Sequence, residues 1–368
     1  MRIVHLLTSL GIGGAERQAL AIAERMRERG HSVAVFTLRP QLDEEWPTSL
    51  PVFRLGMKKD PVSFAAATVR ARRTLRDLSP DLIHSHGFHA NLFARLLGIF
   101  LPGTAIVCTI HNVYEGGRLR MMAYRLSDRL CTRTTAVSEA VAQRFIALKA
   151  VPQKKCAVVP NAIEMDELVP DPVRRAKVRE GLAAGADFIW LAAGRLAPAK
   201  DYPNLLRAFA RLCSAHPRTQ LWIAGHGTAS ALAELEDLAR ELGVELRMRF
   251  LGLRRDLSAL FDAADGFVLS SAWEGMPLVV GEAMAMEKPV VATDAGGVRE
   301  LIGDCARLVA ARDPAALAEA MDAVMREPEE ARQAQGRSAR MRIETQFSVE
   351  ARVEEWEEIY RSVARSKA

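Results

Sequence analysis

The chain has little cysteine and none of it in a framework. Cys108, Cys131, Cys156, Cys213 and Cys305 stand singly with no C-x-x-C, so neither a zinc site nor a disulfide scaffold is suggested, and a reducing cytoplasm fits. Long apolar runs are missing too. The uncharged stretch Leu96 to Ile110 is too short to span a bilayer and carries Pro102-Gly103 in its middle. At the N-terminus, Ile3 to Leu7 follows a single Arg, but Thr8 to Gly14 breaks the run too early for a signal peptide, and it reads as a first strand. No G-x-x-x-x-G-K-[ST] loop occurs, which argues against a P-loop NTPase. No Asp-x-Asp occurs either, so no obvious carboxylate pair holds a divalent metal on phosphates. The basic residues are not interleaved with stacking aromatics, which argues against nucleic acid as a partner.

What is present is ordinary globular composition over 368 residues, enough for two domains with separate cores. Apolar, β-branched runs alternate with amphipathic segments, the pattern of α/β proteins with parallel sheets. Strands are expected at 3–7, 33–37, 82–84, 106–110, 134–137 and 157–159, with helices at 15–29, 62–78, 90–97 and 139–148. The alternation stalls near Pro160-Asn161, and the Pro-rich, acidic segment up to Pro172 reads as a linker. A second series follows, with strands at 189–193, 220–224, 249–251, 266–269 and 290–292 and helices at 202–216, 229–242, 257–264 and 278–286. Two doubly wound domains are therefore expected, with ligands in the cleft between them, outside the carboxyl ends of both sheets.

Charge is unevenly shared. Residues 1–165 hold 23 Lys and Arg against 13 Asp and Glu, a balance of +10, while 166–368 hold 27 against 32, a balance of −5. Either the first half meets something anionic, such as membrane headgroups or a lipid-linked pyrophosphate, or the basicity is compositional.

The most informative stretch is Ser270 to Asp304, SSAWEGMPLVVGEAMAMEKPVVATDAGGVRELIGD. Glu274 and Glu282 are separated by seven residues, with helical phasing from Pro277, where a missing N–H costs nothing. The preceding loop would present backbone N–H groups at a helix N-terminus, a place suited to oxygen-rich ligands. Two carboxylates so spaced are also compatible with a solvated helix face, but the surrounding SSAWEGMPLVVGEAMA is more specific. It resembles the signature of retaining glycosyltransferases of family 4. The resemblance implies the GT-B architecture, two Rossmann-like domains facing across a cleft, and metal-independent transfer of a sugar from a nucleotide diphosphate.

Other loops extend the resemblance. Gly194-Arg195-Leu196-Ala197-Pro198-Ala199-Lys200-Asp201 follows the first strand of the second domain, where Arg195 and Lys200 could neutralise a leaving diphosphate. Gly13 and Gly14 lie between the first strand and first helix. A third glycine would fall at Glu16, so the dinucleotide fingerprint is not met. The loop either offers N–H groups to a phosphate or is a tight turn, and Gly-Gly-Ala-Glu looks like the family's loop at the diphosphate and acceptor entrance. Gly225-His226-Gly227 and Leu251-Gly252-Leu253-Arg254 look like the family's loops around the base, with Leu253 or Arg254 contacting it. His226 and Thr228 depart from the usual acidic residue and Pro there, which leaves the base open. His84 and His86 share a strand face, but no fourth ligand at metal spacing accompanies them, so they read as pocket lining. His111 resembles the histidine that the family places near the donor sugar.

The resulting expectation is a hexose-type transfer from a nucleotide sugar, with UDP as the nucleotide, to a hydroxyl of a glycan or lipid-linked acceptor in surface polysaccharide or glycolipid synthesis. Arg195 and Lys200 stabilise the diphosphate. Glu282 holds the ribose, Glu274 with the N–H groups of Gly275 and Met276 grips the sugar, and Pro277 and Leu278 also bind the donor. No bound cofactor or metal is called for. The rivals are a sugar-nucleotide epimerase and a non-catalytic nucleotide-sugar-binding protein. The acceptor side falls to residues 1–165, joined by a returning C-terminal helix over 348–368, while 166–347 bind the donor. Arg118, Arg120, Arg125, Arg129 and Arg133 alternate with Leu119, Met121, Met122, Tyr124, Leu126 and Leu130, so this segment either lies peripherally on the inner, anionic membrane face or packs on its own sheet with Arg outward.

Overall fold

The computed structural model describes residues 1–365. It divides into two compact units, the first formed by Met1–Ala162 with the C-terminal segment from Val349, the second by Ile163–Ser348. The division falls three residues before the sequence-based boundary at 165. Ile163 donates its N–H to the Phe347 carbonyl at 2.7 Å and fills the space that Gly281 leaves by lacking a side chain.

The first unit runs β1 (Arg2–Leu7), α1 (Gly14–Glu28), β2 (Ser32–Thr37), β3 (Val52–Arg54), α2 (Pro61–Leu78), β4 (Leu82–His86), α3 (Phe88–Gly98), β5 (Ala105–Ile110), α4 (Arg118–Ser127), β6 (Arg133–Ala136), α5 (Glu139–Ala147) and β7 (Cys156–Val158). Its sheet is parallel with order β3-β2-β1-β4-β5-β6-β7. Parallel strands need crossover helices on both faces, which buries the sheet and selects the β-branched runs at β1, β2 and β5. One face packs on α1 and the other on α2 and α3.

The second unit continues α6 (Pro172–Gly181), β8 (Phe188–Ala193), α7 (Tyr202–Ala215), β9 (Thr219–Ala224), α8 (Ala229–Glu241), β10 (Met248–Phe250), α9 (Leu257–Ala263), β11 (Gly266–Leu269), α10 (Leu278–Ala285), β12 (Val290–Thr293), α11 (Val298–Ile302), β13 (Arg307–Val309), α12 (Pro314–Arg326) and α13 (Glu329–Gln346). Its parallel sheet has order β10-β9-β8-β11-β12-β13. Strand order reverses direction between β1 and β4 in one sheet and between β8 and β11 in the other. Loops leaving the carboxyl ends of those strands are where open α/β sheets bind ligands.

The last helix, α14 (Val349–Arg365), returns to the first unit. Val353, Trp356, Tyr360 and Val363 are buried among residues of α1, β1 and β4. No helix among the described residues is long and apolar enough to cross a membrane.

Candidate functional site

In the second unit the loops after β8 and β11 meet. Ala272 N–H donates to the Ala199 carbonyl at 2.8 Å, and Ser270 Oγ donates to the Lys200 carbonyl at 2.8 Å. Lys200 is thereby brought to Glu274, with Nζ 2.5 Å from Oε1. Ser271 Oγ donates to the same carboxylate oxygen at 2.6 Å. Gly194 makes room for the lysine, since a Cβ there would lie 2.7 Å from Lys200 Cε. The pair is a charge-assisted hydrogen bond largely out of water, where both charges are needed for either to be tolerated.

Beside it, Arg195 is exposed and, among the described residues, has no ion-pair partner. The site therefore holds one cation paired within the protein and one exposed to solvent. Gly225 follows β9, and its N–H donates to the Gly252 carbonyl at 2.8 Å. A Cβ on Gly225 would collide with the Gly194 carbonyl, and one on Gly227 with Leu196, so both glycines are demanded by loop packing. Leu253 is half-buried, and Arg254 is committed to Asp256 through two hydrogen bonds at 2.5 and 2.7 Å.

Glu274, Gly275, Met276 and Pro277 are all buried, and Leu278 is half-buried. Pro277 caps α10 from outside, and the helix starts at Leu278, where the expected helix 278–286 begins. Glu282 sits more than one turn inside α10 and is 4% exposed. The Gly275 carbonyl is tied to Gly297 N–H at 2.7 Å, and Thr293 Oγ1 donates to the Ser271 carbonyl at 2.7 Å, which fixes the loop from β12. Ser271, Thr293 and Tyr202, whose hydroxyl donates to the Gly194 carbonyl at 2.9 Å, were not singled out from sequence. Their contacts cross between loops and leave no local pattern.

The other residues singled out from the sequence lie in the first unit. Gly13 caps α1 and Gly14 opens it; the Gly13 carbonyl accepts from Trp46 Nε1 at 3.2 Å. Glu16 folds back so that its carboxylate covers Gly13, and the positive helix end already faces an anion of the protein's own.

His111 lies one residue past β5. Its N–H donates to Glu115 Oε1 at 3.3 Å, and burial lowers its imidazole pKa to about 4. Glu115 also accepts from the Tyr124 hydroxyl at 2.6 Å, and burial pushes its carboxyl up to about 7. Sequence reading passed over Glu115. Its titration comes from enclosure and not from any motif.

His84 and His86 are buried, and β4 extends through both. They are joined by His5, and the three could share a metal ion by distance. Among the described residues no such group of potential metal ligands lies at Lys200 and Glu274.

Comparison with known proteins identifies the family. Residues 173–342 match the family model described as Glycosyl transferases group 1, and residues 12–167 match Glycosyltransferase Family 4. A D-inositol 3-phosphate glycosyltransferase of Corynebacterium urealyticum is 30% identical over 350 residues, covering 84% of this chain and 81% of that one. That of Geodermatophilus obscurus is 29% identical over 354 residues, covering 85% and 78%. Anabaena HepE, solved in complex with UDP-glucose, superposes with a TM-score of 0.87 at 23% identity, over 98% of this chain and 100% of that one. The fold is GT-B, and the chain is a member of the family 4, or group 1, glycosyltransferases.

Proposed function

We propose that this glycosyltransferase moves a hexose-type sugar from UDP to a hydroxyl of a glycan or lipid-linked acceptor, with retention and without a metal, in the synthesis of surface polysaccharide or glycolipid. The observation that carries the reading is the cation pair after β8, with Lys200 held at 2.5 Å by Glu274 and Arg195 left uncompensated. A diphosphate between them would accept a planar fork and a point charge, the donors a leaving group needs. With no Asp-x-Asp in the sequence, this pair takes the role a metal would otherwise fill. Arrival of the diphosphate loosens Lys200 from Glu274, and that carboxylate then accepts from sugar hydroxyls. Glu282 takes the ribose hydroxyls, and the loops with Gly225, Leu253 and Arg254 border the base. Catalysis is then positioning and electrostatic stabilisation of an oxocarbenium-like state. The HepE complex with UDP-glucose supports UDP as the donor nucleotide.

The acceptor belongs to the first unit, on a membrane surface. In α4, Met121 and Tyr124 are buried, whereas Leu119 is 77% and Leu126 75% exposed beside Met122. Arg118, Arg125 and Arg129 are exposed on the adjoining stripe, so apolar and basic groups share one outward face. Arg120 is not part of it, since it donates to the Glu115 carbonyl at 2.8 Å and lies over the Phe88 ring.

Turnover of a panel of nucleotide sugars, with and without glycan or lipid acceptors and with EDTA, tests the reaction. Transfer from UDP-sugars that survives EDTA is expected; conversion of the donor without an acceptor would make the protein an epimerase. Co-sedimentation with anionic but not neutral vesicles, released by salt and by Arg118, Arg125 and Arg129→Glu, tests the surface. Indifference to vesicle charge would mean a soluble acceptor.

A further inference from the structure

Four histidines gather on the face of the first sheet that α1 and α14 cover. His5 on β1 pairs in register with His84 on β4, His86 pairs with Thr109 on β5, and His111 follows two residues later. Alternation along strands puts all four on one face. Three of the rings form a line. His5 Nδ1 lies 3.2 Å from His86 Nε2, and His86 Nδ1 lies 3.1 Å from His111 Nε2. The nitrogens left at the two ends, His5 Nε2 and His111 Nδ1, are buried and have no hydrogen-bond partner.

His84 stands beside the line. Its Nδ1 meets the Tyr360 hydroxyl and its Nε2 the Thr109 hydroxyl, each at 2.6 Å. Both of its nitrogens are thus engaged. Sharing a metal ion with His5 and His86 would break one of those bonds and bury a dipositive charge without a carboxylate in the group.

Burial keeps these imidazoles neutral, with His5 lowered to about 3, His111 to about 4, and His84 and His86 well below their ordinary value. A neutral imidazole has one N–H. Two N–H···N contacts among three such rings require the protons to be ordered, all on Nδ1 or all on Nε2. Any mixture sets two lone pairs or two hydrogens face to face. The all-Nε2 order would leave an orphan N–H at His5, inside the core. The all-Nδ1 order leaves a bare acceptor there and places the orphan N–H at His111, a residue only half-buried, just past the carboxyl end of β5. Only at that end can a ligand oxygen meet the N–H, because the His5 ring is fully buried.

We infer that His86 and His5 are positioning residues that hold His111 in its Nδ1–H tautomer, so that it offers a ligand oxygen a hydrogen-bond donor and not a base. Its catalytic meaning rests on the proposed function and on the family resemblance, which implies that His111 borders the donor sugar; the proton order itself does not. Long-range proton–nitrogen correlation on the full chain with 15N-labelled histidine reads the tautomer directly, with the His111 signals assigned by His111→Gln.

Wild-type His111 is expected to carry its proton on Nδ1. His86→Phe, which removes both ring contacts, should leave a mixture of tautomers. His86→Asn, whose amide can accept from His5 and donate to His111, should restore the Nδ1–H form. In turnover, His86→Phe should lower kcat at least tenfold with UDP affinity by calorimetry unchanged, and His86→Asn should recover most of the loss. A wild-type Nε2–H signal, a His111 spectrum indifferent to His86→Phe, or stoichiometric zinc in the purified protein would overturn the inference. If no donor turns over, the proposed function fails while the spectra still decide the proton order. If His86→Phe does not fold, the wild-type and His86→Asn spectra decide it.

Discussion

Lys200 and Glu274 constrain each other's replacement, because each is mostly out of water, at 19% and 10% side-chain exposure. Lys200→Ala should destabilise the second unit by about 1–3 kcal/mol through the carboxylate left unpaired. It should also abolish tight UDP binding. Lys200→Met with Glu274→Gln, which removes both charges, should recover the melting temperature but not the binding, as calorimetry would show; a double variant as unstable as Lys200→Ala would mean the pair is not what holds the loops. Glu115 behaves oppositely. Its carboxyl, raised from an ordinary 4.5 to about 7, binds a proton more tightly folded than unfolded, so its ionisation costs stability as pH rises through that interval. Glu115→Gln should therefore be more stable than wild type at pH 8, by on the order of 1–3 kcal/mol, with the advantage fading towards pH 4.5. Equal urea midpoints at pH 8 would refute a raised Glu115. Lys200 and Glu274 could be picked out together because their loops carry a recurring pattern. Glu115 could not, because its partner Tyr124 is nine residues on and neither residue is unusual in sequence.

At the scale of elements, strands are legible where they are buried on both faces. β1, β2, β5, β8 and β11 read as apolar runs because parallel sheets exclude water from both sides. The edge strands β3 and β13, three residues each and only partly buried, are missed from sequence, although the equally short edge strands β7 and β10 are read. The helix α6 starts at Pro172 under an Asp171 cap, where the linker reading ends, in a stretch to which the sequence reading assigns no element. The segment 118–133 is not one helix with two clean faces. α4 ends at Ser127, and its Tyr124 turns inward to Glu115. The histidine-bearing strands carry a further prediction. His5, His84 and His86 resist protons that unfolded histidines accept below about 6.5, so stability is full above that value and falls with acid towards about 3. Each ring contributes up to about 1.4 kcal/mol per pH unit. The three together come to match a typical domain's stability only as the pH approaches about 4. Hydrogen exchange followed against pH should show β1 and β4 losing protection first; protection of those strands retained at pH 4 would refute it.

For the whole molecule, the returning helix matters most. The second unit is one continuous piece of chain, from Ile163 to Ser348, whereas the first is closed by α14, which follows it in sequence by nearly two hundred residues. Trp356 and Tyr360 complete the layer over β4, with Tyr360 holding His84. A chain ended after Ser348 should keep a folded second unit, with its core of Trp190, Leu205, Phe209 and Val268, and leave the first with an open apolar seam that limited proteolysis would cut. Resistance of both units would show that α14 is dispensable. During synthesis, domains fold as they leave the ribosome, at about 5–20 residues per second. The part made first here therefore waits, unfinished, through the making of the other, for about ten to forty seconds at those rates. Its half-closed surface is on offer to chaperones throughout that interval, and the arrival of α14 is the event that seals it.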